Sequence, residues 1–195
     1  MSRPTTAPVP LPTELRERIL DEALGLMAER GSAGTSMRQL ADACGVRVAA
    51  LYHYFESKNA LLEAVTAERN YGRRNIVPIR FDPSATAPQR LRELFNQMWR
   101  GALEEESVWR LLLGEAIRGE SCALPVGREF LKTVLPGISE FVHSWVPELT
   151  DPDAAADVVL AELFLGFIRH LFEPGLDPAE LGDEIGDRLV RALLG

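Results

Sequence analysis

Apolar residues along the chain recur every three or four positions, and no stretch alternates in the manner of a half-buried strand. That period predicts an all-α protein. Thr13 is placed to cap a first helix whose inner face is Leu15, Ile19, Ala23, Leu26 and Met27, ending at Gly31. Ser36 and Gln39 have the spacing of a capping box, which opens a short helix over Met37 to Ala43, closed by Gly45. A third helix is expected over Val48 to Tyr54. Ser57 then caps a fourth from Lys58 to about Tyr71, with Leu61, Leu62 and Val65 on one side.

Prolines 78, 83 and 88 mark Asn75 to Pro88 as an elbow. Beyond it the predicted helices lengthen. One runs from Pro88 to about Glu105 with Leu91, Leu94, Phe95 and Met98 in register, and another from Val108 to Ile117. After a loop over Gly119 to Leu124, Pro125 to Val146 reads as one or two helices broken near Pro136 and Gly137. Asp151-Pro152 and Asp177-Pro178 each pair an N-cap with Pro at the first helical position, opening helices over Asp153 to Phe172 and Ala179 to Leu194.

The short second and third helices, joined by a tight turn, form a helix-turn-helix. Gly45 sits where that turn needs positive φ. Leu40, Ala41, Val46, Leu51 and Phe55 are expected in the core. Such a unit lays its second helix in the major groove of DNA. The exposed face of that helix makes Arg47, Val48, Ala49, Tyr52 and His53 the candidate base contacts, with Arg38 reaching in from the helix before. Ser36 and the free N–H groups at the start of the second helix are expected to meet a phosphate, or simply to cap.

Residues 13–67 resemble the N-terminal domain of the TetR/AcrR family. The likeness runs through Ile19, Ala23, Gly31, Thr35-Ser36, Leu40-Ala41 and Gly45-Val46, and is densest over Leu51-Tyr52-His53-Tyr54-Phe55-Glu56-Ser57-Lys58 with Leu61-Leu62 following. The resemblance implies a homodimer with a three-helix DNA domain and a C-terminal bundle holding a ligand pocket. It also implies phosphate contacts by Tyr54 and Lys58. One position departs from the family: Arg47 stands where a capping Ser or Thr is usual, which costs about 1 kcal/mol of helix stability and puts a guanidinium beside guanine or phosphate.

The expected organisation is therefore a disordered arm (1–12), a DNA-binding domain (13–57) and a helical ligand-binding and dimerisation domain (58–195). In the last, Phe95, Trp99, Trp109, Glu115, Phe141, His143 and Phe167 are the candidate pocket. Apolar residues on more than one face mark the final two helices as the dimer interface, with Phe164, Gly166, Phe167, Leu171, Leu181, Ile185 and Leu189 at its centre.

Composition tempers this picture without overturning it. The net charge is −8. Residues 1–70 carry only −1 of it and the remainder −7, so the acid lies away from the DNA reader. Two distant cysteines, Cys44 and Cys122, form no metal or disulfide pattern and suit a reducing cytoplasm. The N-terminus lacks a signal peptide's apolar core, and no run is long enough to span a membrane. Neither metal nor cofactor is expected. The expected partners are double-stranded DNA, a second copy and a small-molecule effector. A helical enzyme using Glu115, His143 or His170 lacks any nucleophile or metal spacing. A ligand carrier or protein-interaction module with a vestigial DNA domain is the alternative.

Overall fold

The computed structural model describes residues 12–69, 82, 84–119 and 123–195. Among them are nine helices and no strand, and none of the helices is long and apolar enough to cross a membrane. The expected arm, up to Leu11, lies outside the described residues. So do Cys122, Asn75 to Phe81 of the elbow, and Tyr71.

The chain divides into two compact units. The first holds α1 (Pro12–Arg30), α2 (Met37–Ala43), α3 (Val48–Tyr54), α4 (Lys58–Glu68) and α6 (Glu106–Ile117, from Ser107 onward). Its core joins Ile19, Leu20, Ala23 and Met27 of α1 to Leu40, Leu51, Phe55, Leu61, Leu62 and Val65. Leu111 of α6 completes that cluster. Thr13 lies inside α1, not at its cap, because the helix already starts at Pro12. The unit does not close at Ser57 as the sequence suggested. Leu61, Leu62 and Val65 turn one face of α4 inward, and Leu111 does the same for a helix about forty residues further on. The apolar run of α6 reads alike whichever core it fills.

Two ion-pair groups fasten α1 to the end of α4. The two terminal guanidinium nitrogens of Arg16 donate to Glu68, at 2.7 and 2.6 Å. Buried Arg69 donates to Asp21 at 2.9 Å and to Glu17 at 2.8 Å. Arg16 also stacks its guanidinium 5.4 Å above the Phe55 ring.

The second unit holds α5 (Ala87–Glu104), α7 (Ala123–Trp145, from Gly127 onward), α8 (Pro152–Phe172) and α9 (Pro178–Leu194). Helix α5 packs against α8 and α9, burying Leu91, Leu94, Phe95 and Trp99. Trp99 is the wedge of this core. Its indole N–H donates to the Pro178 carbonyl at 2.8 Å, and its ring stacks on Phe95 with centroids 6.5 Å apart. The Asp151 and Asp177 side chains cap α8 and α9 as expected, accepting from the Ala154 and Ala179 N–H groups at 3.0 and 2.7 Å.

Helix α7 does not break at Pro136 but continues through it. Lys132, Thr133, Pro136 and Gly137 are all exposed, so water can take the carbonyl that proline leaves without a donor.

Candidate nucleic-acid interface

The helix-turn-helix is held by bonds at every joint. At the start of α2, the Gln39 N–H donates to Ser36 Oγ at 3.2 Å, while the Ser36 N–H donates to Gln39 Oε1 at 2.8 Å. At its end, Cys44 is the C-cap and Gly45 turns the chain with φ of 63°. The Val46 N–H reaches back to the Ala41 carbonyl at 2.9 Å. Arg18 of α1 donates to the Cys44 carbonyl, so a guanidinium sits at the negative end of α2. Burial raises the pKa of the Cys44 thiol, with Glu22 adding to the rise and Arg18 opposing it.

Helix α3 then presents one face to the core and the other to solvent. Leu51 is fully buried and Phe55 nearly so. Arg47, Ala49, Tyr52 and His53 are exposed, Val48 is half-buried, and Arg38 stands exposed on α2. Half of the Tyr52 surface is open to solvent. All the residues expected to read bases thus lie on described, outward or half-outward positions of two adjacent helices. Arg47 is the N-cap of α3, with φ −77° and ψ 147° and no side-chain bond to the helix.

The candidate phosphate contacts are placed differently from one another. Ser36 is exposed. Tyr54 is half-buried against the core cluster, with His53 edge-on to its ring at 5.5 Å. Ser57 caps α4 by accepting from the Ala60 N–H at 3.0 Å. Lys58, the next residue, turns its ammonium back to donate to the Ser32 carbonyl at 2.9 Å.

Charge is spread unevenly within this unit. Glu17, Asp21 and Glu68 are tied to Arg16 and Arg69 along α1 and the end of α4. The α2–α3 side keeps Arg38, Arg47 and Lys58 against Asp42 and Glu56. A near-neutral count therefore conceals a face with a modest positive excess.

The candidate pocket residues are divided between the two units. Phe95, Trp99 and Phe167 are buried in the core of the second unit, where His170 lies edge-on to Trp99. Phe141 is buried as well. His143 lies apart from them, exposed in a groove of about 600 Å³ between α7 and α8 that Leu135, Glu140, Asp153 and Asp157 also line. Trp109 and Glu115 belong to the first unit. Large aromatics at helical spacing are filling space here, and spacing alone could not say so.

The expected dimer interface needs correction as well. Leu181, Ile185 and Leu189 are fully or almost fully buried within one chain, since α9 turns a single apolar face to α5 and α8. A Cβ at Gly166 would meet Ile185 Cδ1 at 2.6 Å, so that glycine serves an internal crossing. Phe167 also faces inward. Of the final two helices, α8 carries a second apolar face: Ala161, Phe164, Leu165 and Phe172 are exposed along one side, with Ile168 half-buried between them. Leu171 flanks that stripe, half-buried.

Two polar residues that hold this site escaped the sequence reading. Arg18 and Ser32 act through the backbone carbonyl of a distant residue or through their own, and such contacts leave no periodic trace.

Residues 19–65 match the family model described as bacterial regulatory proteins, tetR family. Over 50 residues the chain is 42% identical to the transcriptional repressor KstR2 of Rhodococcus jostii, covering 26% of this chain and 24% of that protein. Over 49 residues it is 41% identical to the uncharacterized transcriptional regulator YerO of Bacillus subtilis, covering 25% and 17%. The matched segment thus spans about a quarter or less of these curated relatives. The fold likeness is longer. A transcriptional regulator from Rhodococcus superposes with a TM-score of 0.73 at 18% identity, covering 92% of this chain and 95% of that one. The ketosteroid transcriptional regulator KstR2 of Mycobacterium tuberculosis gives 0.66 at 19%, covering 91% and 94%. The fatty acid degradation regulator FadR of Bacillus halodurans gives 0.67 at 20%, covering 95% and 97%.

Proposed function

We propose that this chain, which belongs through its N-terminal domain to the tetR family of bacterial regulatory proteins, is a sequence-specific DNA-binding transcriptional regulator that acts as a homodimer. The observation that carries the reading is the two-sided α3. Leu51 and Phe55 anchor it, while Arg47, Ala49, Tyr52 and His53 face outward beside Arg38. Arg47 and Arg38 supply donors for guanine edges or phosphates, and Val48 and Ala49 supply apolar contact for thymine methyls. Ser36, Tyr54 and Lys58 are the groups we assign to the phosphates that fix register.

A second copy is the proposed occupant of the exposed stripe on α8. A stripe carrying Phe164, Leu165 and Phe172 on a soluble helix calls for cover, and two-fold pairing supplies it with the same surface. Such a dimer presents two copies of α3, so its operator is palindromic with half-sites about 34 Å apart or a multiple of that. We take repression as the mode, with release by a small apolar effector bound in the second unit. Its support is the regulators of similar fold whose names cite ketosteroids and fatty acid degradation. We propose no catalytic activity.

Selection from a random-sequence duplex pool tests the reading. The expected product is a palindrome whose complex weakens steeply as salt is raised. Recovery of no preferred sequence refutes it. Adding a long-chain fatty acid or a ketosteroid to the recovered complex tests the effector class, and DNA release by neither rejects that part alone.

A further inference from the structure

Among the described residues of the first unit one carboxylate is fully buried, Glu115 on α6, and its partners are unusual for their position. Glu115 Oε1 accepts the Ser32 backbone N–H at 3.0 Å, and Oε2 accepts the Ser32 hydroxyl at 2.7 Å. Arg118, the residue after the end of α6, donates to the same carboxylate. A buried charge is tolerated only when its lone pairs are satisfied, and three donors do that here. Burial alone would raise the Glu115 pKa. The Ser32 N–H, the Arg118 guanidinium and the Ser32 hydroxyl outweigh it and hold the carboxyl below its ordinary value, so the group is anionic.

Ser32 spends its remaining polar group on the reader. Its carbonyl accepts both the Thr35 N–H at 3.2 Å, in a local turn, and Lys58 Nζ at 2.9 Å. The N–H and the hydroxyl of one buried residue are thus committed to α6, and its carbonyl is shared between Thr35 and the first residue of α4. An ammonium has three donors, so the bond to Ser32 fixes where Lys58 points and leaves two hydrogens for another oxygen.

We propose that Glu115 is a positioning residue for the DNA interface, clamping Ser32 so that the Ser32 carbonyl holds the Lys58 ammonium toward a DNA phosphate. The inference rests on the DNA-binding reading above and adds to it a residue on a helix outside the helix-turn-helix. Glu115 touches no DNA in this scheme. Its effect passes through one hydrogen-bonded residue.

The probe is the duplex that the wild-type chain recovers from the random-sequence pool. Glu115→Gln keeps shape and one acceptor but turns an amide N–H₂ toward the other donors. It should keep its helix content, bind the probe roughly tenfold more weakly, and show a salt dependence shallower by about one phosphate contact per protomer. Lys58→Ala should show the same change in slope. The double variant should be no shallower than either single one, because both remove the same contact. A purely structural Glu115 predicts otherwise: a lower melting temperature with wild-type slope, or slope changes that add, and either result overturns the proposal. Ser32→Ala serves if Glu115→Gln does not fold, since it removes only the hydroxyl's bond to Glu115 and leaves the three backbone bonds in place. Its slope should move in the same direction, and a wild-type slope and affinity there overturn the inference. A wild-type chain that recovers no duplex fails the DNA-binding reading itself, and the clamp falls with it.

Discussion

Replacing Arg47 by Ser separates two things that one side chain now does. Arg47 is the N-cap of α3 with φ −77° and ψ 147°, an extended conformation, and it makes no capping bond. Ser36 and Ser57 occupy the same region, at φ −103°, ψ 153° and φ −153°, ψ 166°, and each accepts a backbone N–H from the residue three further on. A serine at 47 therefore meets the backbone it needs to accept from the start of α3. The gain is about 1 kcal/mol, which for a chain of this size raises the melting temperature by roughly 2–4 °C. The loss is the guanidinium. If Arg47 holds a guanine, Arg47→Ser should lower affinity for the recovered duplex by about 1–3 kcal/mol and erase the preference at one base pair per half-site. If it holds a phosphate, binding should weaken evenly across sequences, with a salt slope shallower by about one per protomer. Arg47→Lys sharpens the distinction, because an ammonium keeps charge but not the two-pronged geometry. Thermal melts and mobility shifts on single-base variants of the duplex read both effects. A serine protein that is no more stable and binds every duplex as the wild type does would refute the placement of Arg47 at the groove.

Three other outcomes are expected. Gly182→Ala should destabilise the second unit by about 1–3 kcal/mol, because a Cβ there would lie 2.6 Å from the Trp99 indole nitrogen, and thermal denaturation followed by tryptophan fluorescence reads it. Leu165→Glu should give a folded monomer by sedimentation, whereas a charge at fully buried Leu189 should unfold the chain; a dimeric Leu165→Glu protein removes α8 from the interface. The pKa values of Glu68 and Glu115 are lowered from the ordinary 4.5, Glu68 chiefly by its bond from Arg16. A lowered folded-state value adds stability that is complete above 4.5 and lost as pH falls through the lowered value, so the melting temperature should drop below that pH. Glu115→Gln should shed part of this acid dependence, and an unchanged profile contradicts the ionised clamp.

Much of the first unit was legible because its signals are local. A capping box, a glycine in the left-handed region and a two-residue apolar register are written within a few positions of one another, and Ser36, Gly45 and Leu51 sit as that grammar requires. The second unit was readable as helices and misread as surfaces. Helical spacing says that Leu181, Ile185 and Leu189 share a face. It does not say whether that face meets α5 of its own chain or a second copy, and here it meets its own. The same limit hid the packing of Phe95 and Trp99, which seemed suited to a cavity and instead stack on each other.

Charge shows most clearly why counting fails where placement succeeds. The first 70 residues sum to −1, which alone argues weakly for a partner as acidic as DNA. Yet Arg16 and Arg69 are engaged by Glu17, Asp21 and Glu68 along α1 and the end of α4, and Arg18 is bound to the Cys44 carbonyl. These groups stabilise the scaffold and cancel one another's field at short range. What remains on α2, α3 and the start of α4 is Arg38, Arg47 and Lys58 against Asp42 and Glu56, a difference of one charge per protomer. The proposed dimer would double that excess and turn both copies of it toward one duplex. Reversing a single exposed acid on that face should therefore matter more than reversing one in α9. Glu56→Lys is expected to raise affinity for duplexes of any sequence and steepen the salt dependence, while Glu180→Lys leaves both unchanged. Equal effects from the two substitutions would mean that net charge, not the α2–α3 face, governs association.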